Sequence, residues 1–496
     1  MGSSGNFHVR EAIRSRVACE DGAIHKTAAR RIALCYPSPY HVGMSSLGFQ
    51  TIYRLFNSEP GFACERAFLP DDVPAWRKAR LPLFTYESQS EVGSADVVAL
   101  SVAYELEITG LVDVLELSGI PALASERDEH APLIVAGGPL TFSNPLPLGA
   151  FVDVVLLGEA EETSLELLRT IADQPDRRRL LEALSRRPGF WVPSLHGEKL
   201  GTIAAADDAL LPAYSQILTP HTELSSMFLI EPERGCSRGC TYCVMRRSTN
   251  GGMRLVSPER VMALVPPQAR KVGLVGAAVT DHPKLPEILR RLVDSGRTIG
   301  ISSLRADRLT DEIVGLLAAG GYRAITFASD GASERLRIAV ERRTKERHLL
   351  AAAELAARHK MAHVKVYQML GLPDETAADI DELVRLTREM AKIVKVVLGV
   401  APFVAKRNTP LAGTPFEGVH EIERKLGDLR RGLQGRAELR PTSARWAWVE
   451  FQLAAGGIDA GLRALAAHRS GGGFAAWQRA FSGGETRVRP SLSVLQ

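Results

Sequence analysis

The chain is predicted to be an α/β protein with two successive parallel-sheet units and a helical C-terminal region. Three observations predict it: continuous apolar strands alternating with helical stretches over residues 30–185, a second such series over 223–414, and a tail rich in helix formers and tryptophan over 415–496. The 496 residues suit about three domains. A chain that is 45% hydrophobic and 24% charged excludes a disordered or collagen-like protein.

The first unit follows a polar N-terminal extension, residues 1–29, expected to be irregular. Its strands are RIALCYPSPY (31–40), ADVVALSV (95–102), APLIVAGGP (131–139) and FVDVVLLGEAEE (151–162). Helical spacing between them, as in ITGLVDVLELSG, implies a Rossmann-like sheet covered on both faces. Ligands bind such sheets at the strands' carboxyl ends, which here carry Gly137, Gly138, Gly158 and Glu159. Residues 186–222, with scattered Pro and Gly, read as a linker.

Six strands are expected in the second unit: 227–233, 271–277, 298–304, 324–330, 363–370 and 395–403. Six βα units suggest a partial (β/α)6 barrel of the TIM type, with its chemistry at the carboxyl ends. In the tail, Trp446, Trp448, Phe451, Trp477 and Phe481 are expected to anchor helix packing.

Six cysteines are too few for a disulfide framework, which points to a reducing, cytoplasmic setting. No uncharged apolar run reaches the roughly 18 residues that a membrane span needs, and the N-terminus lacks the apolar core of a secretory signal. A formal charge of +4 without a clustered basic stripe argues against a nucleic-acid groove.

Cys236, Cys240 and Cys243 form a C-x3-C-x2-C run directly after the first strand of the second unit. Three thiolates on one tight, glycine-containing loop can hold three irons of a [4Fe-4S] cluster and leave the fourth open. A zinc site is the alternative, but zinc wants a fourth Cys or His nearby, and no histidine lies between His221 and His282.

This run, with Tyr242 before the last cysteine and a six-strand series around it, resembles the radical S-adenosylmethionine (radical SAM) superfamily. The resemblance implies a cluster whose open iron chelates S-adenosylmethionine (SAM), reductive cleavage to a 5′-deoxyadenosyl radical, and a one-electron donor such as flavodoxin or ferredoxin. It also implies SAM contacts at Gly276 and Ala277, at Ser302, Ser303 and Arg305, at Asp330 and Glu334, and at Gly371. The second of these strands lacks the acidic residue usual in that superfamily, which would leave the contact to backbone carbonyls.

The stretches YHVGMSSLGFQ, IVAGGPLTFSNPLPLG and VVLLGEAEE resemble the cobalamin-binding-type domain of one radical SAM class, and within it an uncharacterised family. That implies cobalamin near Gly137, Gly138, Gly158 and Glu159, although the D-x-H-x-x-G ligand motif is absent: Asp128-Glu129-His130 lacks the glycine, and no Asp precedes His41. The expected reaction is cobalamin-dependent methylation of carbon or phosphorus. Alternatives are cobalamin-independent radical SAM modification or rearrangement of RNA, peptide or a small molecule, a methylthiotransferase using a second cluster on Cys19, Cys35 and Cys64, and a SAM- or cobalamin-sensing module.

Overall fold

The computed structural model describes residues 2–245, 252–302 and 304–482. Strand β1 (Arg30–Pro39) opens the first sheet, and β2 (Phe62–Leu69), β3 (Val97–Ser101), β4 (Leu133–Gly137), β5 (Val154–Leu156) and β6 (Phe190–Trp191) complete it in the order β2-β1-β3-β4-β5-β6. All pairings are parallel except β5 with β6. This is a doubly wound order whose crevice lies at the carboxyl ends of its strands. Burial on both faces explains the unbroken apolar runs.

Strand β2 was not anticipated, because it contains Glu65 and Arg66, yet all eight of its residues are buried. Glu65 accepts from the Thr85 and Ser88 hydroxyls at 2.6 and 2.7 Å, and Arg66 is paired internally. Arg66 donates to Glu20 at 2.6 and 2.8 Å and to Glu87 at 2.7 Å, and all three side chains are almost fully buried. Glu20 comes from the N-terminal extension, which is not irregular throughout: Gly2–Val17 is a helix. The stretch read as a linker contributes β6 to the sheet and bridges Ala204 to Gly158 and Tyr214 to Ile230.

In the second unit, β7 (Met227–Ile230), β10 (Lys271–Leu274) and β11 (Thr298–Ile301) form one parallel group, with an antiparallel hairpin of β8 (Glu233–Gly235) and β9 (Met253–Leu255) rising from the end of β7. The other group is β12 (Ala324–Asp330), β13 (His363–Leu370), β14 (Val396–Pro402) and β15 (Glu438–Pro441), all parallel. A parallel bridge between Leu304 and Phe327 joins the groups. The result is a partial barrel: among the described residues, β7 and β15 do not pair with each other. Strand β15 falls in the tail read as helical. Its sequence ELRP alternates exposed and half-buried positions, which leaves no apolar run to announce it.

The barrel has one continuous core around Val272, Phe327, Val366 and Leu398. The helices Ala444–Ala455, Ile458–Arg469 and Phe474–Ser482 return to the first domain and pack Val449, Leu453, Leu465 and Trp477 onto one face of its sheet. Buried Asn144 fixes the turn between the first two, donating to the carbonyls of Leu453, Ala454 and Gly456 at 3.1, 3.0 and 2.7 Å. Trp448 packs edge-on to Phe474, Trp477 stacks on Phe481 and Phe416 meets Phe451. Trp446 is not a packing anchor: it is 42% exposed.

Candidate functional site

The three clustered cysteines lie at the top of the barrel, on the connection between β8 and β9. Gly235 enters this connection with φ +93°, a conformation that favours glycine. The Cys243 N–H bonds the Cys240 carbonyl at 3.2 Å and curls the loop on itself. Cys240 is buried, while Cys236 and Cys243 are half-buried. Burial raises the Cys236 thiol and pushes Cys243 up to about 11, so thiolates here require a cation beside them. Among the described residues, no three Cys, His, Asp or Glu side chains converge on one metal ion. A four-iron cluster asks something different of its ligands, since each thiolate binds its own iron. The donor set of three soft thiols on one curled loop fits that group.

Neighbouring strand ends brace the loop. The Tyr242 hydroxyl donates to Asp330 at 2.6 Å, Asp330 has φ +66°, and Arg342 pairs with the same carboxylate at 3.1 Å. Burial, and then the Asp330 charge, push the Tyr242 phenol far above its usual range. Arg238, inside the cysteine run, pairs with Asp307 at 2.8 Å, and Ser237 donates to Asp281 at 3.1 Å. Arg305 completes this network, held by Asp281 at 3.0 Å and by Asp307 at 2.6 Å. Its guanidinium is therefore engaged by two carboxylates within the protein.

Ser302 donates to the Gly276 carbonyl at 3.0 Å, and Ala277 is exposed beside it. Ser303 lies outside the described residues. Gly371 has φ +85° and is buried, and its N–H donates to Glu375 at 2.9 Å. Glu334 accepts from the Glu346 N–H at 2.8 Å, at the start of the helix Glu346–Arg358. Tyr242 with Asp330 and Gly276 with Ser302 are thus brought together, while Glu334 bonds the start of the helix Glu346–Arg358 and Gly371 bonds Glu375 within its own loop.

Glu233 was missed. The strand-two segment has no carboxylate of its own, yet the fully buried Glu233 accepts from the Ala278 N–H at 2.8 Å. A Cβ at Gly276 would come within 2.1 Å of its Oε1. The signal was the acidic residue in E-P-E-R-G-C, ahead of the first cysteine. Burial pushes Glu233 up to about 7, and its other oxygen has no hydrogen-bond partner among the described residues. The folded state then holds a proton that the unfolded chain releases near pH 4.5. Stability falls as pH rises from there through about 7, by up to roughly 3 kcal/mol at 1.36 kcal/mol per pH unit. Glu233→Gln is expected to remove this slope and to exceed the wild type in urea midpoint at pH 8 but not at pH 5; equal midpoints at pH 8 would refute the assignment.

A cavity of about 390 Å³ lies at the carboxyl ends of β3, β4 and β5. Gly137, Gly138, Gly158 and Glu159 line one side, and Arg234 and Met245, from the hairpin and the end of the cysteine run, line the other. Gly158 has φ +95°, and a Cβ there would lie 2.4 Å from the Ala204 carbonyl oxygen. Glu159 accepts from Arg254 Nη2 on both carboxylate oxygens and from the Ala206 N–H at 2.8 Å, Arg254 Nη1 donates to the Ala206 carbonyl at 2.7 Å, and Arg234 pairs with Glu161 at 2.7 Å and Glu231 at 2.8 Å. These ion pairs clamp the hairpin to the first sheet. The described lining contains no histidine. His41 stands near Asp71 on the surface at 3.8 Å, and His130 is exposed.

The family described as "Radical SAM superfamily" matches residues 230–387, and "Radical SAM proteins, N-terminal" matches 48–193. The chain belongs to the radical SAM superfamily. Membership implies a [4Fe-4S] cluster and SAM, and the chain is a radical SAM enzyme. It is 26% identical over 394 residues to an uncharacterized protein, MJ0966, of Methanocaldococcus jannaschii, covering 78% of this chain and 80% of that one. Over 136 residues it is 32% identical to the 2-(S-pantetheinyl)-carbapenam-3-carboxylate methyltransferase of Streptantibioticus cattleyicolor, covering 26% of this chain and 20% of that enzyme. It shares its fold with the cobalamin-dependent SAM radical enzyme OxsB solved with aqua-cobalamin, at a TM-score of 0.53 and 13% identity over 80% of this chain. The chain spans about 55% of the length of that structure. No described helix is long and apolar enough to cross a membrane.

The second cluster of a methylthiotransferase lacks its ligand set. Cys19 is exposed, whereas Cys35 and Cys64 belong to the cores on opposite faces of the first sheet.

Proposed function

We propose that this enzyme cleaves SAM at a cluster held by Cys236, Cys240 and Cys243, and uses cobalamin to methylate an unactivated carbon or phosphorus centre. The observation that carries the cobalamin reading is the shared cavity: Gly137, Gly138 and Gly158 line it together with Met245, two residues beyond Cys243. A cavity of about 390 Å³ suits a nucleotide-sized tail, with the corrin outside it. When bound, the cluster with SAM supplies a hydrogen-abstracting radical, and cobalamin supplies a methyl group. The chain's own part is positioning: Tyr242, Asp330 and Arg342 hold the cysteine loop, Gly276 and Ser302 lie at the neighbouring strand ends as SAM contacts, and Glu159 with Arg254 fixes the hairpin against the first sheet. Without a histidine in the lining, cobalamin would be held through its periphery and tail.

Protein purified with hydroxocobalamin is expected to retain about one corrinoid per chain through desalting. Gly158→Leu, which fills the approach to the cavity, is expected to lose it while still assembling the cluster. Wild-type protein that retains no corrinoid would leave the cobalamin-independent reaction as the reading.

A further inference from the structure

Each barrel strand turns alternate residues to the helices and to the lumen. Val272, Phe327, Val366 and Leu398 take the helix side, in the continuous core, so the residues between them face inward. A closed TIM barrel fills its interior with layers of bulky branched side chains. Here much of the inward face is small: Gly273 pairs with Gly300, Thr326 and Ala328 follow on β12, and Gly399 and Ala401 on β14. Tyr367 also faces inward, from a strand with neighbours on both sides, and is still 42% exposed. Over the described residues the lumen is therefore lined but not filled.

One unneutralised charge points into it. Lys365 faces inward two residues before Tyr367, and Gly399 is the register partner of that tyrosine. A Cβ at Gly399 would come within 3.2 Å of the Tyr367 ring and 3.7 Å of Lys365 Cε, so the glycine leaves the lysine a path along the wall. The Lys365 ammonium ends over the Tyr367 ring, 4.6 Å from its centroid, and so points toward the carboxyl ends of the strands. Among the described residues it has no ion-pair partner, and the ring positions the charge without cancelling it. Glu438, which shares its row across Val397, is taken by Arg440 at 2.6 Å. Asp330, at the carboxyl end of β12, is taken by Tyr242 and Arg342. Hydroxyls stand close by: Thr326 is the register partner of Lys365, and the Tyr322 hydroxyl donates to the Ile301 carbonyl at 3.3 Å.

We propose that the lumen holds the polar end of the substrate and that this end is an oxyanion, a carboxylate or a phosphate, bound by the Lys365 ammonium. An ammonium held in a recess and lacking a counter-ion attracts such a group and bonds it strongly. The cysteine loop lies at the top of the same barrel, so a molecule anchored on Lys365 directs its other end toward the loop. The inference deepens the radical SAM reading and rests on it, since only that reading makes the lumen a substrate site. A protonated amine is the opposite outcome, because it would bring a second cation to Lys365.

3-Phenylpropionate, 2-phenylethyl phosphate and phenethylammonium serve as matched probes, titrated calorimetrically into reconstituted protein at pH 7. The better of the two anions is expected to bind at least about tenfold more tightly than the ammonium, a difference of about 1.4 kcal/mol. Which anion leads separates a carboxylate-bearing substrate from a phosphate-bearing one. Lys365→Met is expected to erase the preference and Lys365→Arg to keep most of it. Equal binding of all three probes, preference for the ammonium, no binding of any, or a preference that survives in Lys365→Met would overturn the proposal. The wild-type comparison needs no variant to fold. SAM cleavage by the reduced wild type is scored separately. Cleavage without anion preference overturns only the substrate class; anion preference without cleavage overturns the enzymatic reading beneath it.

Discussion

Alanine at Cys236, Cys240 or Cys243 is expected to abolish SAM cleavage, with 5′-deoxyadenosine falling to the level of protein-free controls. In the proposed site each thiolate would ligate a different iron, so loss of one would open a second corner of the cluster, and the remaining pair on so short a loop would give no substitute. The variants are expected to stay folded, because the barrel core around Val272, Phe327 and Leu398 lies below the loop. Serine at the same positions should behave alike, since the hard hydroxyl is a poor match for the softer cluster irons. Iron content and the broad cluster absorbance are the checks, alongside a circular dichroism spectrum unchanged from wild type. A variant that cleaves SAM at the wild-type rate would remove the loop from the site.

Arg66→Met is expected to produce the largest loss of stability in the first domain. The substitution keeps much of the side chain's length but leaves Glu20 and Glu87 facing each other without the cation, both almost fully buried. Removing one partner from such a buried set costs about 3–5 kcal/mol, whereas replacing the whole set can be neutral. The triple change Arg66→Met, Glu20→Gln, Glu87→Gln should therefore recover much of the loss. Denaturant midpoints measure both. If Arg66→Met alone unfolds with the wild-type midpoint, the triad is not the tie between the N-terminal extension and strand β2.

These two predictions also mark where the sequence was legible. The cysteine run, the six barrel strands and the glycines at the ends of β4 and β5 could be read directly, because metal spacing and continuous apolar strands are local signals. Strand β2 was hidden by Arg66 and Glu65, since the partners that let them be buried, Glu20 and Glu87 for the arginine and Thr85 and Ser88 for the glutamate, lie far away in the chain and make buried charge look like loop. Strand β15 was hidden because an edge strand of four residues with alternating exposure has no apolar run. Glu233 escaped for a related reason. The carboxylate missing from the Gly276 segment comes from β8, and only the fold brings Ala278 to it. The resemblance implies a SAM contact at Arg305, and in the fold its guanidinium is paired with Asp281 and Asp307, which lie 24 residues before it and two after. Trp446 looked like a packing anchor from the sequence, but it is 42% exposed while its helix neighbours Ala447 and Val449 are buried.

The most direct test of the account is anaerobic reconstitution of the wild-type chain with iron and sulfide, followed by reduction in the presence of SAM. The account predicts about four irons per chain and formation of 5′-deoxyadenosine that depends on the reductant. One tightly held zinc per chain, or four irons with no 5′-deoxyadenosine formed on reduction, would contradict it.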